Sequence, residues 1–441
     1  MIGRRLKVAR ASAGLSLREL AARMDGVVSP QAIGKYERNE DMPGSRALMA
    51  LASALGVSEG YLLSDEELVL EGVDFRKKTS AKEEATVEAL TIQMLERYLA
   101  IEDLLQLKSV DWEQPRSAPY PVSEIRDAED AARSVAGITN SDGATAAWSA
   151  NRLALAASNG LRGRLVRTRH SLSVNVLAGS GTLMQDGDAY RQATHRADLA
   201  PPATVGREAG ERAAARLGPR KIATARVPVV YEPRTAASLL RHLAVAINGN
   251  AVASGRSFLK GSLGQPVFGA GITISDDPLR RRGLGSRPFD SEGVATANRR
   301  LIDGGVLTTW LLDLASGRRL GMTSTGHASR AGAALGTPAA SNLTLAPGTL
   351  GKEALIADIA QGLYVTDLMG MGANLVTGDY SRGASGFWIE DGAITYPVGE
   401  VTIAGNLVEM FRQLTPASDL EIRGSADAPT VRIDGMTVAG T

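Results

Sequence analysis

The chain has 441 residues, 44% of them hydrophobic and 22% charged, which is enough for two or three globular domains with buried cores. Its formal net charge of +1 excludes a protein that binds nucleic acid through bulk positive charge. The absence of cysteine excludes disulfides, thiolate metal sites and cysteine nucleophiles.

Residues 1–65 are predicted to form an all-α domain of five helices. Ser16 and Glu19 have the Ser-x-x-Glu spacing of a capping box, which predicts that a second helix follows directly. Ser29 precedes Pro30 in the pattern typical of the N-cap and first turn of a third helix. The two helices and the short turn between them predict a helix-turn-helix.

The third helix is predicted to enter the major groove of DNA. Ile33 points inward, together with either Tyr36 or Glu37. Gln31 is placed to contact a base edge, typically that of adenine, and Lys35 to reach guanine or a phosphate. The remaining predicted DNA contacts are the N-cap serine and three phosphate-binding arginines, namely Ser29, Arg18, Arg38 and Arg46. The alternative is a helix-turn-helix used only for protein contacts.

Four short segments of this domain are distinctive: LSLRELA at 15–21, IGKYE at 33–37, DMP at 41–43 and LASALGV at 51–57. With them the domain resembles, over its full length, the Cro and phage-repressor (XRE) class of helix-turn-helix domains. Such modules usually bind DNA as dimers. The resemblance therefore implies double-stranded DNA as a partner and a homodimer as one expected assembly.

Residues 66–135 are predicted to form a helical linker. Ser80 and Glu83 repeat the capping-box spacing, which predicts a long helix from 81 to about 107. That helix serves either dimerisation or packing on its own domain. Ser123 is predicted to cap a short acidic helix near the end of the linker.

From residue 136 the chain is rich in glycine, alanine, serine and threonine and is predicted to form an α+β, β-rich body. The runs at 171–177 and 225–231 have the pattern of strands. Helical patterns interrupt them at 236–247 and 352–362. The body is predicted to have a middle region and a C-terminal domain, over residues 136–222 and 223–441.

The body carries several distinctive segments: GITNSDG at 137–143, TRHSLSV at 168–174, AING at 246–249, GLGSRPFD at 283–290, TGHASR at 325–330 and GDYSRGASGFW at 378–388. With them the body closely resembles the PmbA (TldE) branch of the TldD/PmbA peptidase family. The family's first domain is missing, and the helix-turn-helix part stands in its place. A natural fusion, a recombinant chimera or a misassembled reading frame, joined near residue 136, would each give this sequence.

The resemblance also implies a metal site in the active branch of the family. TldD-type members hold the metal with a His-Glu-x-x-x-His helix and a distant cysteine. The matching stretch begins at His242, but Leu243 replaces the glutamate and Ile247 replaces the second histidine. We therefore expect no metal and no cofactor, a vestigial His242, and no catalysis by this chain alone.

A peptidase-like body implies a peptide substrate and a groove to hold it. The residues expected to line this groove are His327, Arg330, Tyr380, Ser381 and Arg382. For His327, a structural hydrogen bond in a loop is an equal alternative. The glycine-rich segment 381–386 is predicted to be a tight turn between strands.

Two functions follow from these features. The first is a DNA-binding transcriptional regulator with a catalytically silent peptidase-family module, which pairs with itself or with a TldD-like chain. The second is a non-catalytic subunit of a TldD/PmbA-type metallopeptidase complex that acts on unfolded or precursor peptides. The sequence has neither an apolar secretion signal nor an apolar run of membrane-spanning length, so we expect a cytoplasmic protein with no membrane partner.

Overall fold

The structure is a computed structural model and describes residues 2–63, 87, 89–92, 95–96, 121–156, 162–330, 336–370 and 372–440. The chain divides into two units, Met1–Trp112 and Glu113–Thr441, and each has a hydrophobic core of its own. Within the described residues, none of the helices combines the length and the apolar character needed to cross a lipid bilayer.

Residues 2–63 form the five predicted helices, with bounds α1 Gly3–Ser12, α2 Leu17–Arg23, α3 Pro30–Glu37, α4 Ser45–Leu55 and α5 Glu59–Leu63. Their core contains Leu6, Leu20, Ile33 and Leu51, all fully buried. Gly56 ends α4 in the left-handed conformation (φ +66°), which glycine adopts without steric strain.

Both predicted N-caps are confirmed. Ser16 Oγ accepts a hydrogen bond from the Glu19 amide at 3.2 Å, and Glu19 Oε2 accepts one from the Ser16 amide at 2.6 Å. Ser29 Oγ accepts a hydrogen bond from the Ala32 amide at 3.2 Å, and Pro30 is the first residue of α3. These caps satisfy amides that a helix start otherwise leaves unpaired, so local sequence determines where α2 and α3 begin.

A largely buried ion pair joins α1 to the end of α3. Arg10 donates from Nε to Glu37 Oε1 at 2.6 Å and from Nη2 to Oε2 at 3.0 Å. Its Nη1 donates to the Leu15 carbonyl at 2.8 Å. Glu37 is thus held by Arg10, while Tyr36 is half-buried. The pair fixes the orientation in which α3 presents its outer face.

The predicted helix over 81–107 lies largely outside the described residues. Those that are described, 87, 89–92 and 95–96, are helical. Ile92 is buried, whereas Leu90 is 43% exposed. Glu96 accepts a salt bridge from Arg5 at 3.0 Å, so this part of the segment contacts α1.

The second unit begins with two helices on a three-stranded antiparallel sheet, with bounds α6 Val122–Arg133, β1 Ile138–Ala156, β2 Arg162–Ala178, β3 Gln185–Ala193 and α7 Pro202–Ala215. The predicted cap at Ser123 is wrong, because α6 already begins at Val122 after Pro121 and has no side-chain cap. The helix that the sequence places in the linker thus packs on this sheet.

Helices α6 and α7 meet through their small residues. Gly206 faces Ala128, and a Cβ atom added at Gly206 would lie 1.8 Å from the Ala128 carbonyl oxygen. Gly210 faces Ala132 in the same way, with a Cβ-to-oxygen distance of 2.7 Å. Glycine is therefore required on α7 for the two helices to approach this closely.

The remaining helices are α8 Pro233–Ala246, α9 Gly249–Ala253, α10 Leu314–Leu320, α11 Lys352–Ile356 and α12 Leu407–Gln413. The remaining strands are β4 Ala225–Tyr231, β5 Ile274–Asp276, β6 Arg299–Asp303, β7 Val306–Leu307, β8 Ala328–Ser329, β9 Thr337–Pro338, β10 Leu343–Leu345, β11 Gln361–Met369, β12 Asp379–Glu390, β13 Ala393–Asn406, β14 Leu414–Pro416, β15 Ala426–Asp427 and β16 Val431–Ala439.

These strands form three sheets. The largest has the order β13-β12-β11-β4-β16-β14 and closes on itself, because β13 also pairs with β16. A second sheet has the order β15-β10-β5-β6-β7, and β8 pairs with β9. Helix α8 packs on the largest sheet within the main hydrophobic core.

Two further predictions in this unit are wrong. The sequence predicts a helix over 352–362, but the helix ends at Ile356 and β11 begins at Gln361. Pairing of β11 with β4 and β12 overrides the local helical pattern. The glycine-rich segment 381–386 lies inside β12 and is not a turn. A Cβ atom at Gly386 would lie 1.9 Å from the Tyr364 carbonyl oxygen, so glycine there permits close approach of β11.

Candidate functional site

Helix α3 presents a polar outer face over a buried inner one. Gln31 and Lys35 are exposed one turn apart, whereas Ile33 is fully buried. The Ser29 hydroxyl oxygen is used as the N-cap acceptor, and its hydrogen remains available to a phosphate. The predicted base-contacting residues therefore share one accessible surface.

The three predicted phosphate-binding arginines differ in their surroundings. Arg18 on α2 and Arg46 in the first turn of α4 are exposed. Arg38, at the end of α3, instead donates from Nε and Nη2 to the two carboxylate oxygens of Glu40, at 2.6 and 2.9 Å. The hydrogen bond and charge of Glu40 raise the pKa of Arg38. A DNA phosphate would therefore have to compete with Glu40 for Arg38. The sequence did not predict this ion pair.

The second predicted site lies where α8 faces β12. His242 is half-buried on α8, while Leu243 and Ile247 are fully buried in the core. The ring of Tyr380 meets the His242 ring edge-on, with centroids 5.9 Å apart. Burial, and then the charge of Arg382, lower the pKa of His242.

This set of residues does not fit the metal ion that the resemblance implies for the family's active branch, taking zinc as the test. Zinc needs three or four anionic or neutral ligands, and here a single imidazole stands next to a guanidinium cation. Leu243 and Ile247 occupy the other positions of the motif with apolar side chains. Across the described ranges, no group of three His, Asp or Glu side chains could hold a metal ion.

The predicted peptide-groove residues do not form one surface. Tyr380 is 1% exposed and Arg382 is half-buried, and both act on His242. Ser381 lies between them on β12 and is exposed, as is Arg330. His327 is 2% exposed, so its imidazole lies in the interior rather than on a groove wall.

His327 belongs to a buried network that the sequence pattern did not identify. Its Nε2 donates to Asp276 Oδ2 at 3.1 Å, and its Nδ1 accepts from the Thr325 hydroxyl at 2.7 Å. Asp276 is 0% exposed and also accepts from the Ser341 amide at 2.9 Å, the Ser341 hydroxyl at 2.8 Å and the Asn342 amide at 2.6 Å. These contacts correspond to the structural hydrogen bonding that was the alternative prediction for His327, instead of a place in a peptide groove.

Models of known protein families match three consecutive segments of the chain. Residues 6–62 match a helix-turn-helix model. Residues 115–217 match the PmbA/TldA metallopeptidase central domain, and residues 224–440 match the C-terminal domain of the same family. The central match begins ahead of residue 136 and therefore includes α6.

Relatives include the metalloprotease PmbA of Escherichia coli O157:H7, which is 41% identical over 284 residues, or 64% of this chain. The chain spans 61% of the length of that protein. The metalloprotease PmbA homolog of Haemophilus influenzae is 37% identical over 348 residues, which are 78% of this chain and 75% of that protein.

Solved structures share the fold. A Thermotoga maritima protein named as a candidate modulator of a DNA gyrase superposes with a TM-score of 0.69 at 25% identity, over 82% of this chain and 84% of that one. TldE from Thermococcus kodakarensis superposes with a TM-score of 0.65 at 20% identity, over 82% and 86% of the two chains.

Proposed function

Because the chain belongs to the PmbA/TldD metallopeptidase family and carries a helix-turn-helix domain ahead of that family's region, we propose that it is a sequence-specific DNA-binding transcriptional regulator. The observation that carries the proposal is the outer face of α3, where Gln31 and Lys35 are exposed above the buried Ile33. An amide and an ammonium group one turn apart can contact an adenine and a guanine edge from the major groove.

Arg18 and Arg46 support the same assignment. Both are exposed, and no residue in the described part of the chain forms a salt bridge with either. With Ser29 and Arg38 they complete a surface that contacts the DNA backbone. A second copy of the domain would bind the neighbouring half-site of the same DNA. Arg38 contributes less than Arg18 and Arg46, because Glu40 already neutralises it.

The experiment is selection of bound DNA from a random pool by the full chain at near-physiological salt. We expect an enriched motif that the Gln31→Ala/Lys35→Ala variant loses, with affinity for the selected site reduced about 10-fold or more. Lys7→Ala, which removes an exposed charge from α1, is the matched control and should keep the motif. An unchanged motif in the double variant would show that α3 is not the DNA-binding helix.

The salt dependence of Lys35→Ala then distinguishes the two roles open to this lysine. If Lys35 binds a phosphate, the slope of log affinity against log salt should fall by about one. If it binds guanine, the slope should stay near that of the parent chain and specificity at one base should relax.

For the body, we propose a role as a module that does not catalyse peptide hydrolysis by itself. The residues at the place of the family's metal-binding helix support this proposal. Next to His242 stand the apolar Leu243 and Ile247 and the cation of Arg382, none of which is a metal ligand. The body would instead pair with itself or with a TldD-like chain. Its extended similarity to the metalloprotease PmbA homolog of Haemophilus influenzae supports a family-type assembly.

That similarity also favours a second function, a non-catalytic subunit of a TldD/PmbA-type metallopeptidase complex acting on unfolded or precursor peptides. On this alternative, mixing the chain with a TldD-like chain should give a stable complex that cleaves an unfolded peptide only when the partner carries its metal. Size-exclusion chromatography and peptide cleavage measure the two steps. Absence of a complex at micromolar concentrations would exclude this function.

A further inference from the structure

Between α8 and β12, three polar side chains each have one buried atom without a hydrogen-bond partner. The atoms are His242 Nε2, Tyr380 Oη and Arg382 Nε. Tyr380 is 1% exposed; Tyr231 and Arg382 lie close enough to act on its phenol, but neither meets hydrogen-bond geometry, and Tyr231 directs its own hydroxyl to the sulfur of Met436 at 3.5 Å. Buried polar groups are rarely left unpaired, because each loses its hydration without compensation.

The charge at this place is also unbalanced. Arg382 makes a long contact from Nη2 to the Leu368 carbonyl at 3.4 Å, and no carboxylate in the described part of the chain pairs with it. Burial raises the pKa of Tyr380, and the neighbouring Tyr231 and then Arg382 act in the opposite direction. Arg382 likewise lowers the pKa of His242 after burial, and no acidic residue contributes at either ring.

We propose that His242, Tyr380 and Arg382 form a binding site for a carboxylate group. The phenol and the guanidinium donate hydrogen bonds, and the imidazole can donate a third from Nε2. A guanidinium binds a planar carboxylate through two parallel hydrogen bonds. His242 and Arg382 are half-buried, so part of each side chain faces solvent, while Tyr380 and the three unpaired atoms lie buried behind them.

A single negative charge suits this site better than a double one. Arg382 supplies a fixed, partly buried positive charge, and the charge of Arg241 acts from the exposed side of α8; the pKa of His242 is lowered, so the imidazole is neutral near pH 7. A carboxylate balances that charge, whereas a phosphate dianion would leave one buried negative charge without a partner. The proposal is independent of DNA binding and concerns only the body.

The chain has four histidines, which makes histidine side-chain NMR of the full protein a direct test. The signal of His242 is the one lost in His242→Asn. We expect N-acetylalanine to shift that signal in a saturable way, and N-acetylalaninamide, which differs only in lacking the carboxylate, to bind at least about 10-fold more weakly. Acetate should also shift it, and inorganic phosphate should bind more weakly than N-acetylalanine.

Arg382→Gln should raise the dissociation constant for N-acetylalanine at least about 10-fold, and Tyr380→Phe should raise it several-fold. Arg207→Gln, which removes an exposed charge from α7, should leave it unchanged. Unshifted signals of His170, His195 and His327 would show that each variant keeps its fold. Tighter binding of N-acetylalanine than of acetate would assign the carboxylate to a peptide C-terminus, and equal binding to a small carboxylic acid.

Three results would overturn the proposal. The first is equal binding of N-acetylalanine and its amide, the second is unchanged affinity in a folded Arg382→Gln variant, and the third is tighter binding of phosphate than of either carboxylate. None of them would bear on DNA selection by α3, so this proposal and the proposed function can fail separately.

Discussion

Replacing Asp276 with alanine should lower the free energy of unfolding of the body by about 4 kcal/mol. The carboxylate is 0% exposed and accepts hydrogen bonds from His327, Ser341 and Asn342. Alanine would leave all of these buried donors unpaired and create a cavity between β5 and the segment leading into β10. A loss of this size is large compared with the total stability of a typical domain.

Urea unfolding followed by tryptophan fluorescence measures this loss, because Trp310 and Trp388 both lie in the same hydrophobic core as β5. The control is Asp303→Ala, which removes an exposed carboxylate that pairs with Arg300 at the surface. Surface pairs contribute little, so the control should unfold close to the parent chain. Equal unfolding midpoints for the two variants would show that the buried network does not stabilise the body.

The same carboxylate should make the body sensitive to acid. Burial alone would raise the pKa of Asp276, but hydrogen bonds from His327 and Ser341 outweigh it and hold the pKa below its ordinary value of 3.8. The stabilisation is therefore complete above 3.8 and is lost as the pH falls through the lower pKa of the folded state. Asp276→Asn should be less stable at neutral pH and should lose less of its remaining stability on acidification than the parent chain.

Gly206→Ala should destabilise the central region by about 3 kcal/mol. The added methyl group would stand 1.8 Å from the Ala128 carbonyl oxygen, which belongs to the backbone of α6 and cannot rotate away. The two helices would have to separate, and the core around Val174 and Val205 beneath them would lose its packing. Alanine is the better helix former, so propensity alone predicts the opposite sign.

Fluorescence of Trp148, which lies on β1 of the sheet that these helices cover, measures the change during urea unfolding. The matched control is Gly351→Ala, where the nearest atom is the end of the Glu353 side chain at 3.9 Å. Gly351 is the N-cap of the short helix α11, where alanine is less favourable than glycine, so this variant should lose at most about 1 kcal/mol. If Gly206→Ala were as stable as the control, the close contact of α6 with α7 would be wrong.

Sequence alone predicted the parts of the structure that depend on neighbouring residues. Ser16 and Ser29 set helix starts through contacts within a few positions, and each acts as predicted. Gly56 ends α4 through equally local geometry. The pairs Arg10 with Glu37 and Arg38 with Glu40 were not predicted. Any of several charges could have formed them, and side-chain direction decides between the candidates.

The candidate sites, too, could be predicted only where neighbouring residues in the sequence determine them. The departure from the His-Glu-x-x-x-His pattern at Leu243 and Ile247 can be read in one short segment. The contact of His242 with Tyr380 and the charge of Arg382 beside it depend on how α8 packs on β12. Asp276 and His327 likewise meet only through the fold. Segment 381–386 has turn-like composition, and its place inside β12 depends on pairing with β11 and β13.

The closed sheet has a consequence for the order in which this protein folds. Strand β4 pairs with β16, so that Tyr231 lies opposite Val431, and β16 also completes the pairing with β13. The helix-turn-helix domain has its hydrophobic core within residues 2–63 and a salt bridge from Arg5 to Glu96, so it can fold before the body has been synthesised. The body cannot close until β16 has been synthesised, and until then β4 and β13 expose strand edges that can pair with other chains.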